Sequence, residues 1–416
     1  MTRPLSRRLA PTSPSHPIAP PDVRTVPVPR RGPGGERFAQ ASDTRGHAAL
    51  AELIREARLA NPQLEFWLDS HPRIGAQRAA AETAVASTLR RCGPSPDGSA
   101  ALATQLTGIT TNPNLIADFD AAVRDRAGGR PSCSAGTRDA RYRAHIASAA
   151  EVMRDLHARS GGRYGWVSAQ VNPVHTFDAC AIVEEGMRLA SIADNVMVKV
   201  PGSLEGYRAI RTLVGAGVSV NGTLSFGLPQ FEAFATAAAA GRSSLTADEN
   251  ARTRTVVTHM AGRVGDAVRS YYPPGATSTR ELRLAEAALA RQGSCLVEQI
   301  DPRTSILLSS VRVDRGAAAE CMHLSATLDR PVAYTLRPDT FTALEGTGLD
   351  QVFHPDETLL TEVDNYAPGP DAPEALRPLF NRALLPEAFW TLPQFLQTLA
   401  EASSSQLKLI GGRHSA

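Results

Sequence analysis

Eight short runs rich in apolar and β-branched residues recur along the chain. They lie at 64–69 (LEFWLD), 108–112 (GITTN), 164–171 (YGWVSAQV), 195–200 (NVMVKV), 218–226 (VSVNGTLSF), 255–260 (TVVTHM), 305–311 (SILLSSV) and 331–336 (PVAYTL). Their length and residue types predict strands. Between them, alanine- and leucine-rich segments at 176–192, 204–216, 230–240 and 280–292 repeat their apolar residues at helical spacing. An earlier helix is expected over 47–59, where Leu50, Leu53, Ile54 and Ala57 share one face. This alternation predicts a (β/α)8 TIM barrel, because each parallel strand needs a helix-length crossover to reach the next. An open doubly wound sheet is the competing arrangement, but no GxGxxG turn follows the first strand.

The flanks read differently. Residues 1–45 are dominated by Pro, Arg, Ser and Gly without apolar periodicity, which predicts a disordered tail ahead of a catalytic barrel domain over 46–416. The Pro- and acid-rich segment 353–378 reads as a long loop or lid, and 392–402 as a closing helix. Composition then narrows the function classes. With 44 basic against 42 acidic residues the net charge is +2, so no global field draws the chain to nucleic acid or membrane. The basic tail lacks the interleaved aromatics of a nucleic-acid binder. No apolar run has the length of a membrane span, and the tail has no signal-peptide core. Five cysteines (Cys92, Cys133, Cys180, Cys295 and Cys321) form no CxxC pair, which disfavours a disulfide framework and a zinc site and fits a reducing cytoplasm. Oligomeric state is not encoded in any of these features, and a homo-oligomer is compatible with them.

One residue breaks the strand pattern. Lys199 sits among Val196, Met197, Val198 and Val200, in a chain with only one other lysine, Lys408, against 42 arginines. Burying an ammonium is costly unless it is paired or gives up its proton. Two readings stand at this point: a neutral amine that attacks a carbonyl, or a strand-end lysine that reaches solvent or a carboxylate. Chemistry in a barrel belongs at the C-terminal ends of the strands. Polar residues collect there: Asp69, Thr110, Asn112, Gln170, Asn172, Lys199, Asn221, Thr223, Ser225, Thr258, Ser309 and Ser310, with Arg263 and Arg312 just beyond. Asp69 also reads as a helix cap and Asn112 before Pro113 as a turn. Together the set is an inventory for imine chemistry on a phosphorylated sugar.

Four blocks in this order, WLD at 67–69, TTNPNLI at 110–116, NVMVKVP at 195–201 and VNGTLSF at 220–226, resemble the signature blocks of transaldolases. The resemblance spans roughly 47–348. It implies a (β/α)8 barrel that works without metal or other cofactor. A dihydroxyacetone unit would pass from a ketose phosphate to an aldose phosphate through a lysine Schiff base. By matching position, Lys199 is the expected Schiff-base lysine and Asp69 the acid/base at the cleaved carbon bond. Asn112 and Asn221 are expected to bind donor hydroxyls or the imine, with Thr110 and Thr258 beside them, and Thr223 to hold the water used in proton transfer. Arg263 and Arg312, with Ser310, fall where the family grips the substrate phosphate. Strand three departs from the pattern. Where the family carries a block resembling SIEVDP this chain has SAQVNP, so Gln170 replaces a proton-trading glutamate. The related fructose-6-phosphate aldolase subgroup has glutamine there. Gly222, Thr258, His259 and Met260 also differ from the usual residues, which predicts a reshaped acceptor pocket and a non-standard acceptor. The alternatives are an aldolase that releases free dihydroxyacetone and a catalytically silent sugar-phosphate-binding barrel.

Overall fold

The computed structural model describes residues 44–69, 102, 104–112, 138–271, 278–315, 319–344 and 349–409. Eight parallel strands close into a barrel: β1 (Glu65–Asp69), β2 (Leu106–Thr110), β3 (Trp166–Gln170), β4 (Val196–Pro201), β5 (Val220–Ser225), β6 (Thr255–Met260), β7 (Thr304–Ser309) and β8 (Val332–Leu336). Each strand pairs with its neighbours in chain order, and β8 closes on β1. The (β/α)8 fold class expected from the alternation is the observed one.

The principal helices are α1 (Thr44–Ala60), α2 (Arg138–Arg159), α3 (Ala179–Ala190), α4 (Leu204–Gly215), α5 (Leu228–Arg242), α6 (Ala261–Tyr271), α7 (Thr279–Ile300), α8 (Glu357–Asp364) and α9 (Pro393–Leu409). The α3 and α4 starts show the local logic. Asp178 accepts from the Ala181 amide and Ser203 from the Gly206 amide, which satisfies amides that the first turn leaves without partners. Helix α1 begins at Thr44, and residues 1–43, where the disordered tail is expected, lie outside the described residues. The segment expected to be a loop or lid instead contains α8, whose Asp364 makes two hydrogen bonds to the Arg291 guanidinium of α7, at 2.7 and 2.8 Å. Among the cysteines, Cys180, Cys295 and Cys321 are free thiols, and Cys92 and Cys133 lie outside the described residues. No helix among the described residues is long and apolar enough to cross a membrane.

Inside the barrel, Trp67, Trp166, Met197, Val256, Leu307 and Ala333 form an apolar plug separate from the core between barrel and helices. Gly108 completes it, since a Cβ there would stand 2.4 Å from the Trp67 ring. Below the plug, Glu65 accepts from the Trp67 indole at 3.0 Å and pairs with Arg254 at 2.5 Å, so the buried carboxylate is neutralised. The plug closes the barrel's lower end, and the chemistry is left to the other.

Candidate active site

Two residues beyond the plug layer, every strand places a polar residue on its inward face: Asp69, Thr110, Ser168, Lys199, Asn221, Thr258, Ser309 and Thr335. Register seats Gln170 beside Lys199 and Lys199 beside Asn221. The ring is stitched together by hydrogen bonds. Asn221 donates to the Ser168 hydroxyl at 2.9 Å and accepts from Thr258 at 2.6 Å, so its amide is held at both ends. Thr110 donates to Asp69 Oδ1 at 2.8 Å and also meets the Thr335 hydroxyl. Thr223 stands one step further up β5, its hydroxyl 3.9 Å from the Met260 sulfur. The Ser309 hydroxyl is buried with no hydrogen-bond partner among the described residues.

Lys199 is only 6% exposed. Burial lowers its basicity below that of an ordinary amine, and the Asp69 charge works in the opposite direction. Desolvation alone supplies this depression; no neighbouring cation is among its causes. Asp69 is held above the ordinary carboxylate range, again by burial first, against the Lys199 charge, the Thr110 hydrogen bond and Arg337. Removing the Asp69 charge therefore removes the group that favours the ammonium. In an Asp69→Asn variant, the pH midpoint for acylation of Lys199 by a small amine-directed reagent should fall below the wild-type midpoint, itself below ~10.4. A midpoint that rises in the variant contradicts this electrostatic assignment.

The strand-three residues divide. Gln170 lies at the end of β3, its amide donating to the Tyr142 hydroxyl of α2 at 2.7 Å, so the backbone here is anchored from outside the barrel. Asn172 serves the turn: its side chain accepts from the Val174 amide at 3.2 Å and its own amide donates to Glu185 at 2.8 Å. Asn112 follows β2 at the same end of the barrel.

The arginines also reach this end. Arg263, in the first turn of α6, pairs with Glu401 of α9 at 2.8 Å, and Arg312, after β7, pairs with Asp266 at 2.5 Å. Ser310, between β7 and Arg312, has φ 55°, a left-handed conformation rare for a residue with a side chain. Behind this loop, the Arg312 amide donates to His323 Nδ1 at 3.1 Å. The proton of that ring is thereby placed on Nε2, which donates to Glu286 at 2.8 Å. Glu286 also accepts from the Gly265 amide and from Arg283, so one buried carboxylate ties α6, α7 and the β7 loop together.

Two residues credited with reshaping the pocket face away from it. A Cβ on Gly222 would stand 2.4 Å from the Phe234 ring of α5, so the glycine permits close helix packing behind the barrel. His259 is buried against Phe231, with ring centroids 5.2 Å apart, and burial lowers its pKa to about 4. Thr258 and Met260, at alternate positions, are the ones that face the site. Ser168 and Thr335 were legible as inward positions of β3 and β8 but carry no charge to mark them. Glu401 had no local signal at all.

The model of the transaldolase/fructose-6-phosphate aldolase family matches residues 98–367, well over half of the chain. The chain belongs to this family. Its curated relatives include transaldolase 1 of Streptomyces coelicolor, 36% identical over 137 residues that make up 30% of this chain and 35% of the relative. Transaldolase 1 of Streptomyces avermitilis is 30% identical over 198 residues (44% and 52%). The transaldolase of Neisseria gonorrhoeae is 31% identical over 212 residues (48% and 60%). The chain thus spans about a third to three fifths of the length of these relatives. Within this family setting, the polar ring lies at the C-terminal end of the barrel, where the loops that define a TIM-barrel enzyme's specificity converge.

Proposed function

We propose that the chain moves a dihydroxyacetone unit from a ketose phosphate to an aldose acceptor through a Schiff base on Lys199. The observation that carries this reading is a buried lysine of lowered basicity beside Asp69, in a ring whose other members are uncharged. The neutral Lys199 amine attacks the ketose carbonyl, and loss of water leaves an iminium. Asp69 accepts the proton of the hydroxyl two carbons from the iminium carbon; that carbon becomes the carbonyl of the departing aldose as its bond to the intervening carbon breaks, and the bonding electrons pass into the iminium to give an enamine. An aldose leaves. The enamine then attacks the carbonyl carbon of the acceptor, Asp69 returns the proton to the new alkoxide, and hydrolysis frees the lysine. Asn221, fixed by Ser168 and Thr258, and Asn112 are suited to hold the hydroxyls of the bound unit without adding charge, with Thr110 orienting Asp69. Thr223 is assigned the water that serves proton transfer, and Arg263, Ser310 and Arg312 the phosphate end.

Gln170 cannot trade protons, so protons must move through Asp69 and water. This residue favours one second reading, a lyase in which the enamine is protonated and free dihydroxyacetone leaves. Borohydride reduction in the presence of fructose 6-phosphate should fix a three-carbon adduct on Lys199, visible as a mass gain on its peptide. An unmodified Lys199, or an adduct confined to Lys408, would rule out the Schiff-base reading.

A further inference from the structure

The phosphate end of the site is already occupied by the protein's own carboxylates. Arg263 is 2.8 Å from Glu401, with the two side chains 20% and 16% exposed. Arg312 is 2.5 Å from Asp266, and Arg337 is 3.3 Å from Asp339. Among the described residues, each arginine at the mouth has an acidic partner. The three pairs are not equivalent. Asp266 and Asp339 are more solvated, at 30% and 47% exposed, and each lies within a few residues or one turn of the mouth; both can turn to water when a ligand arrives. Glu401 comes from the far end of the chain on α9. That helix is docked across the mouth, with Phe395 fully buried and its ring 6.4 Å from that of Phe177 in the β3 loop. Helix packing therefore fixes Glu401 opposite Arg263.

We propose that Glu401 is a specificity-determining residue: it takes the place of a substrate phosphate at Arg263 and turns the transfer toward unphosphorylated aldehyde acceptors. The inference rests on the transfer reading above and refines its acceptor class. A phosphate monoester is mostly dianionic near neutral pH. To reach Arg263 it must displace a carboxylate that is largely enclosed, or sit beside it, and like charges brought together at a site exclude the wrong partner. An aldehyde with a hydroxyl at its far end meets no such repulsion and can donate that hydroxyl to Glu401. The built-in anion weakens phosphate without removing the arginine, so a phosphorylated donor is still bound, less tightly.

The test has a binding arm and a kinetic arm. By calorimetry, Glu401→Gln should bind inorganic phosphate about tenfold more tightly than the wild type, the gain expected when a like charge is removed beside the site. The gain should vanish in the Glu401→Gln, Arg263→Gln double variant. Phosphate affinity unchanged in Glu401→Gln, or a gain that survives loss of Arg263, overturns the proposal. In the wild-type protein, kcat/KM for D-glyceraldehyde as acceptor should exceed that for D-glyceraldehyde 3-phosphate; a clear preference for the phosphorylated acceptor overturns it without any variant. The calorimetry needs no turnover. Failure of the borohydride trap would therefore remove the Schiff-base reading and leave the Glu401 result standing, and the reverse combination separates them equally well.

Discussion

Replacing Lys199 by arginine should abolish turnover, by at least about 10³-fold, while the barrel stays folded. The reason lies in what burial does to each cation. An amine can answer desolvation by giving up its proton, which is the form that attacks a carbonyl, and burial pushes Lys199 in that direction. A guanidinium keeps its proton throughout the accessible pH range and offers no nucleophilic lone pair. The variant retains a cation beside Asp69, so the charge balance of the ring survives while its chemistry does not. The checks are a product assay, in which the aldose leaving group is coupled to a dehydrogenase, and a thermal melt. Substantial turnover in a folded Lys199→Arg protein would mean that imine formation is not the mechanism.

The largest effect on stability is expected away from the reacting atoms. Glu286 is fully buried and accepts from Arg283, His323 and the Gly265 amide, at 2.7, 2.8 and 2.7 Å. Replacing it by alanine leaves a guanidinium only 5% exposed without its inner partner, along with an unsatisfied ring N–H and amide. Removal of one member of a buried charged network costs about 3–5 kcal/mol. A marked fall in the thermal midpoint is the expected reading, and a midpoint within a degree or so of the wild type would contradict the assignment. The same group makes an acid-sensitive contribution. Burial pushes its carboxyl upward, but His323 and Arg283 outweigh that and hold it below the usual 4.5. A carboxyl whose folded pKa is depressed contributes stability that is present above its unfolded value and is lost as pH falls through the folded one. The wild type should therefore lose this contribution on acidification below 4.5, and Glu286→Ala should lack that part of its acid sensitivity.

Much of this molecule was legible from residue order alone. The eight strands appear where the apolar runs stand, and 255–260 matches β6 residue for residue. Strand ends shift by a residue or two, because hydrogen bonding at a terminus depends on the neighbour's register. Departures came where the sequence was read for pocket shape. Gly222 and His259 are one step out of phase with Asn221, Thr223 and Thr258, so the two-residue repeat turns them toward α5 and α7. The Pro- and acid-rich segment was read as a lid, yet Asp364 within it makes charge-assisted bonds to Arg291 that hold α8 on α7. Composition reports the absence of an apolar stripe; it does not report an ion pair with a distant arginine.

The sequence by itself determined which side chains face the barrel mouth. Direction along a strand is a local property, and once β4 carries Lys199 inward, Asn221 and Gln170 must flank it by register. The tertiary structure alone decided what those side chains meet. Glu401 reaches Arg263 only because α9 docks across the mouth, and His323 meets the Arg312 amide with one ring nitrogen and Glu286 of α7 with the other. Such contacts join segments far apart in the chain, and no periodicity encodes them. They depend on how whole helices pack, and here that packing sets which charges meet at the Arg263 side of the barrel mouth.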